Sequence, residues 1–187
     1  MGLIDQPASQ GLLMLVLISD ANVLFDLEVG RIIERIFRLD ATVAVPDVLF
    51  VEELAAQHAD LVAQGLQVRQ LSAEALIQVM NWQALYPKPS RNDLLAFALA
   101  RQEGGILLTG DRDLRQAITA ECIRPDGAPV EIHGTFWLME QMLTEGVITD
   151  AEAKVSVERM KQGKRRLPWD RFEDVMRRRN RRTPGSI

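Results

Sequence analysis

The sequence predicts a three-layer α/β/α domain with a mostly parallel central sheet, followed by C-terminal helices. Three observations lead there. Short continuous apolar runs at residues 12–18 and 106–108 have the composition of strands buried on both faces. Stretches with helical spacing separate the strand-like runs, the alternation that builds a parallel sheet covered on both sides. The two clearest runs also end alike. Ser19-Asp20-Ala21-Asn22 follows the first, and Thr109-Gly110-Asp111-Arg112-Asp113 follows the second. These carboxylates fall at the carboxyl ends of strands, where open α/β sheets place their ligands.

Taken in order, residues 12–19 form the first strand and Asp20 ends it. Residues 21–27 and 31–39 read as helix, with Ile32, Ile33, Ile36, Phe37 and Leu39 at helical spacing. Residues 42–45 make a short strand. Pro46-Asp47 suits a first helical turn, and the helix it opens carries Glu52 and Glu53 before stopping near Gly65. Residues 66–71 alternate imperfectly as a strand, and Ser72 starts a helix through Leu85. Tyr86-Pro87-Lys88-Pro89 is a break. Ser90-Arg91-Asn92-Asp93 opens the next helix, whose buried stripe is Leu94, Leu95, Ala98 and Leu99, and Gly104-Gly105 closes it. After the central strand come a helix over 113–122, a loop over 124–129, a strand over 130–133 and a helix over 135–145. Thr149-Asp150-Ala151-Glu152 is a capping box for a helix to about Gln162. Pro168 begins a last helix that reaches about Arg178.

Composition narrows the classes of function. Cys122 is the single cysteine of 187 residues, which excludes an internal disulfide and a thiolate metal cluster. A reducing cytoplasm is the expected location. The apolar run at 11–18 is too short to cross a bilayer, and no Lys or Arg precedes it as in a signal peptide. His58 and His133 are isolated and lack ligand spacing. Charge is uneven. Residues 161–182 hold ten Lys/Arg against Asp170, Glu173 and Asp174, a net of +7, so the chain's −4 leaves −11 on the remainder. Such a basic tail suits either a solvated helix face or contact with nucleic-acid phosphates.

Chain geometry brings the acids together. About ten helical residues carry the chain roughly 15 Å from Asp93, and about five strand residues return it roughly 17 Å to Asp111. Asp93 and Asp111 therefore share one edge of the sheet. Asp20 ends a parallel strand on that edge, and Glu52 or Glu53 sits early in a helix that starts there. Each acid also has a plain reading: Asp93 as the second half of a capping box, Asp20 and Asp111 as turn residues, Asp113 as a first-turn charge, Glu52 or Glu53 as solvated helix residues. Converging carboxylates repel and shift one another's pKa, a conflict that a divalent cation relieves. Oxygen-only ligands select Mg²⁺ or Mn²⁺, ions that lower the pKa of water and neutralise charge on a scissile phosphate.

Ser19-Asp20-Ala21-Asn22, the Glu52-Glu53 helix after Val45-Pro46, Ser90-Arg91-Asn92-Asp93 and Thr109-Gly110-Asp111-Arg112-Asp113 together resemble the motifs of the PIN domain, in order and spacing, over roughly residues 14–140. The resemblance implies a ribonuclease dependent on Mg²⁺ or Mn²⁺. It makes Asp20, Glu52, Asp93 and Asp111 the catalytic, metal-holding acids, with Glu53 competing for the place of Glu52. Asn22, Thr109 and Asp113 take supporting places. Arg112 and Arg115 beside the acids either hold RNA phosphate or compensate charge. Many such proteins are toxins of toxin–antitoxin pairs, so an antitoxin and a homodimer join RNA as implied partners. The length exceeds that of compact toxins, and residues 135–179 resemble the helical extension of less-characterised PIN-like families. The expected division is a flexible leader (1–11), a PIN-like nuclease domain (12–145) and a C-terminal helical extension with a basic tail (146–187). Two rival readings stand beside it. One is a catalytically inactive PIN-like module that binds protein or RNA. The other is a phosphatase with an aspartyl nucleophile, which wants a second acid where Asn22 stands.

Overall fold

The computed structural model describes residues 15–123 and 126–182. The expected leader, the start of the first strand, and Arg124 and Pro125 of the expected loop lie outside them. Among the described residues the sheet has five strands: β1 (Leu15–Ser19), β2 (Ala41–Pro46), β3 (Gln67–Arg69), β4 (Ile106–Leu108) and β5 (Ile132–His133). All neighbours are parallel, in the order β3-β2-β1-β4-β5. The order reverses between β1 and β4. Their register pairs Ser19 with Leu108, so Asp20 and the Thr109–Asp111 turn leave the sheet side by side.

The apolar runs form these strands because both faces are covered. Leu17, Ile18, Val43, Ala44, Val45, Leu107 and Leu108 are all buried. One helical layer holds α5 (Ala73–Leu85) and α6 (Arg91–Glu103), with α6 lying on β1, β2 and β4. Its buried run from Leu94 to Ala100 includes Phe97, which packs against Trp82 of α5 with ring centroids 5.1 Å apart. The other layer holds α1 (Ala21–Val29), α8 (Thr135–Thr144) and α9 (Asp150–Gln162), with α10 (Trp169–Arg182) on α8. Ala153, Val157 and Met160 of α9 and Phe172, Val175 and Met176 of α10 belong to the same continuous core as the strands.

Two expected helices differ in kind. Residues 31–39 give only a 3-10 segment, Ile33–Arg38. Arg31 has a φ of 58°, which breaks the helix before it, and the short run that remains closes with the tighter bonding of short segments. The long helix after β2 is interrupted. It runs as α2 (Asp47–Leu49), a π-helical turn (Phe50–Leu54), α3 (Ala55–His58) and α4 (Asp60–Gln64). The helix after β4 is α7 (Arg112–Ala117), continued by a 3-10 turn over Ile118–Glu121. Both expected capping boxes are formed, at Ser90–Asp93 and at Thr149–Glu152.

Candidate active site

The site is built at the reversal in strand order. Ligands of open α/β sheets bind where neighbouring crossovers leave in opposite directions, and here that place lies beyond the ends of β1 and β4. Asp20 sits there as the N-cap of α1. Its backbone N–H donates to Leu108 O at 3.0 Å, and Oδ1 accepts the Val23 N–H at 2.9 Å. The side chain is buried, at 1% exposure, and Oδ2 has no hydrogen-bond partner. Burial raises its pKa from 3.8 to about 7. The Thr109 hydroxyl and the Val23 N–H oppose that rise, while repulsion from Asp93 and Asp26 adds to it.

Thr109 and Asp111 form the neighbouring corner. Asp111 is the N-cap of α7 and accepts the Leu114 N–H at 2.6 Å. Its own N–H donates to Thr109 Oγ1 at 3.0 Å. Thr109 is fully buried; its hydroxyl accepts the Asp111 N–H and lies close enough to Asp20 to lower that carboxyl's pKa. Asp93 enters from α6. Its Oδ2 accepts from Ser90 N at 3.0 Å and Ser90 Oγ at 2.6 Å. Asp93 therefore completes a capping box and is also close enough to repel Asp20.

Glu52 and Glu53 reach this edge through the residue before Asp93. Asn92 Nδ2 donates to Glu52 Oε2 at 3.1 Å and to Glu53 Oε1 at 2.5 Å. Arg91 pairs with Glu52 and, with Asn92, holds its pKa below the ordinary carboxylate range. The π turn explains how consecutive glutamates share one partner. Its wider winding reduces the angle between successive side chains, and such turns recur at functional sites. Asn92 Oδ1 is buried and has no hydrogen-bond partner. As they stand, no three acidic, histidine or cysteine side chains among the described residues are grouped closely enough to hold a metal ion.

The supporting residues divide. Asn22 is exposed on the first turn of α1, and its backbone carbonyl accepts from Arg165 Nη2 at 3.3 Å. Asp113 is exposed and lies 3.6 Å from Lys88 Nζ. Arg112 is exposed. Arg115 is committed to the scaffold, donating from Nη2 to Thr109 O at 2.6 Å and from Nη1 to Ile132 O at 3.2 Å. It ties the ends of β4 and β5 together. Asp26 escaped sequence reasoning. It is buried on α1, accepts from Thr135 Oγ1 at 2.6 Å and pairs with Arg165. Burial raises its pKa, against the pull of Thr135 and Arg165.

The donors present are carboxylate and amide oxygens, and two of them, Asp20 Oδ2 and Asn92 Oδ1, are buried without partners. Orphaned buried oxygens beside mutually repelling carboxylates fit a hard divalent cation. No helix among the described residues is long and apolar enough to cross a membrane. No curated protein matches the chain. The family described as DUF3368, a PIN domain, matches residues 16–181. That match spans the sheet, the acid edge and the C-terminal helices, and the chain belongs to the PIN domain family, whose members are generally nucleases.

Proposed function

We propose that this protein is a divalent-metal-dependent endoribonuclease that hydrolyses RNA phosphodiester bonds at the β1–β4 reversal. The observation that carries the reading is Asp20: a carboxylate buried at a strand end, with one oxygen unpartnered and its pKa raised to about 7 beside Asp93. A structural N-cap has no need of that second oxygen, whereas a ligand for a cation does. Mg²⁺ or Mn²⁺ would be held by Asp20, Asp93 and Asp111, with Glu52 joining when released from Arg91 and Glu53 as its neighbour in reserve. When bound, such an ion supplies Lewis acidity, lowering the pKa of water and neutralising charge on the scissile phosphate.

The chain's own residues do the rest. Thr109 fixes the Asp111 backbone and faces Asp20, so the two strand-end acids hold their relative position. Ser90 orients Asp93. Asn92 holds Glu52 and Glu53 at the rim. Arg115 closes the corner beneath Thr109, and Arg112 stands exposed for phosphate. Helices 146–182 are a C-terminal extension that packs on the 15–145 body. A cytoplasmic toxin with an antitoxin partner, acting as a homodimer, is the biological setting this reading favours. Cleavage of a mixed structured RNA pool tests it. Wild-type protein should cut with Mn²⁺ and not with EDTA, and Asp20→Asn, Asp93→Asn and Asp111→Asn should each lose about 10²-fold or more in rate. Undiminished metal-dependent cleavage by Asp111→Asn would refute it.

A further inference from the structure

A cavity adjoins the acid edge. Its volume is about 660 Å³, and it lies between the ends of β4 and β5, the start of α8 and the inner face of α10. Thr109 and Gly110 belong to its wall, so it is continuous with the turn that carries Asp111. Five arginines line it: Arg112, Arg115, Arg166, Arg171 and Arg178. Arg178 is neutralised, since Nη2 lies 3.0 Å from both carboxylate oxygens of Glu140. Arg115 donates to two carbonyls and forms no direct ion pair among the described residues. Among the described residues, Arg112, Arg166 and Arg171 form no ion pair, and all three are exposed. Burial and repulsion from Arg171 lower the pKa of Arg115, against the attraction of Asp20, so a second cation stands close enough to Arg115 to repel it.

Two further features belong to the same cavity. The α8 N-terminus opens into it at Gly134 and Thr135, with no side-chain cap and no acidic residue in its first turn. Such a terminus favours an anion. His133 and Trp137 also line it, stacked with centroids 4.1 Å apart and planes within 7°. A small anion would use one or two of these groups. A strand of nucleic acid uses all of them, because it brings phosphates at regular intervals together with bases that stack on aromatic rings.

We propose that this cleft is the track for the single strand of RNA that runs on from the scissile phosphate, with Arg112, Arg166 and Arg171 on its phosphates and the His133–Trp137 pair against a base. The track is completed by the C-terminal extension, which contributes Arg166 from the segment between α9 and α10 and Arg171 from α10. The assignment of RNA rests on the proposed ribonuclease activity, and binding without metal separates the two questions.

The test is fluorescence anisotropy of a short labelled single-stranded RNA in EDTA, titrated at several salt concentrations. Wild-type protein, Arg166→Ala/Arg171→Ala and a charge-matched control, Arg31→Ala/Lys154→Ala, are compared, with thermal melts confirming that each is folded. Removing two phosphate contacts should flatten the log–log salt dependence by about 1.4 and weaken binding at about 0.1 M salt on the order of tenfold. The control should match wild type. Unchanged affinity and slope in the arginine variant would overturn the track, as would absence of RNA binding by wild-type protein. Displacement of RNA by a poly-glutamate peptide that binds more tightly would reassign the cleft to an acidic protein segment. Metal-dependent cleavage that persists in any of these cases leaves the ribonuclease standing and removes only the track.

Discussion

Asp20→Asn should stabilise the metal-free protein, and increasingly so as pH rises. Asp20 ionises near 3.8 in the unfolded chain and near 7 in the fold. A group whose folded pKa is raised lends its full stability below the unfolded value, here 3.8, and that stability is lost as pH rises through about 7. At about 1.4 kcal/mol per pH unit, the loss totals about 4 kcal/mol by pH 8. The carboxylate is buried and one of its oxygens is unpartnered, so solvent screens little of this. Asparagine keeps an oxygen to accept the Val23 N–H, so the helix cap survives. Urea unfolding in EDTA should therefore show Asp20→Asn more stable than wild type, with the gap widening by about 3 kcal/mol between pH 5 and pH 8. Mn²⁺ should then close more than half of the gap at pH 8. An ion that binds only the folded wild type adds about 2.7 kcal/mol at a hundredfold excess over its Kd, and the asparagine variant gains little. A gap that stays constant with pH would show that Asp20 ionises without penalty in the fold. Equal stabilisation of both proteins by Mn²⁺ would show that Asp20 is not a ligand. Either result removes the main support for the metal site.

Arg165→Ala leaves the buried Asp26 carboxylate with Thr135 as its remaining side-chain partner, and should cost about 3 kcal/mol in urea unfolding. A change below about 1 kcal/mol would mean that Arg165 is dispensable to Asp26. Gly105→Ala should cost about 1–3 kcal/mol, because a Cβ there would lie 2.7 Å from the Val16 carbonyl oxygen, on a neighbouring strand that cannot rotate away. An unaltered thermal midpoint would contradict that packing. Ser90→Ala breaks the capping box of α6 and should lower stability by about 1 kcal/mol, as measured by urea unfolding; no loss would mean that Asp93 caps α6 unaided.

The strands were legible because burial on both faces leaves a plain mark: Leu17-Ile18 and Ile106-Leu107-Leu108 contain no polar residue for solvent to claim. Helix ends were legible because their chemistry is local. Ser90 with Asp93, and Thr149 with Glu152, satisfy backbone groups within three residues. The π turn was harder, although the sequence holds its trace. Leu49 and Leu54 are both fully buried and stand five residues apart, which is π rather than α spacing. An α-helical reading sets the two glutamates about 100° apart and offers the pocket one of them first. The observed turn lets both meet Asn92, which is why the choice between Glu52 and Glu53 had no answer in α-helical terms.

What could not be read were roles set by distant partners. Asp26 looks like any polar residue of an amphipathic helix until Thr135 and Arg165, 109 and 139 positions away, close over it. Arg115 looks like a phosphate ligand by its place beside the acids, yet the ends of β4 and β5 claim it. These two cases join into one structural consequence. Asp26 lies on the helix that Asp20 caps, and the arginine that neutralises it comes from the segment between α9 and α10. The same arginine reaches the Asn22 carbonyl, in the first turn after Asp20. The C-terminal helices thus grip α1 within two turns of the acid edge, and their next residue, Arg166, lines the cleft beside it. Adjacent residues of one chain segment thus face α1 and the cleft, Arg165 the one and Arg166 the other. A basic tail that was only a solvated face would have no reason to send Arg165 inward to a buried carboxylate and Arg166 outward into a cleft.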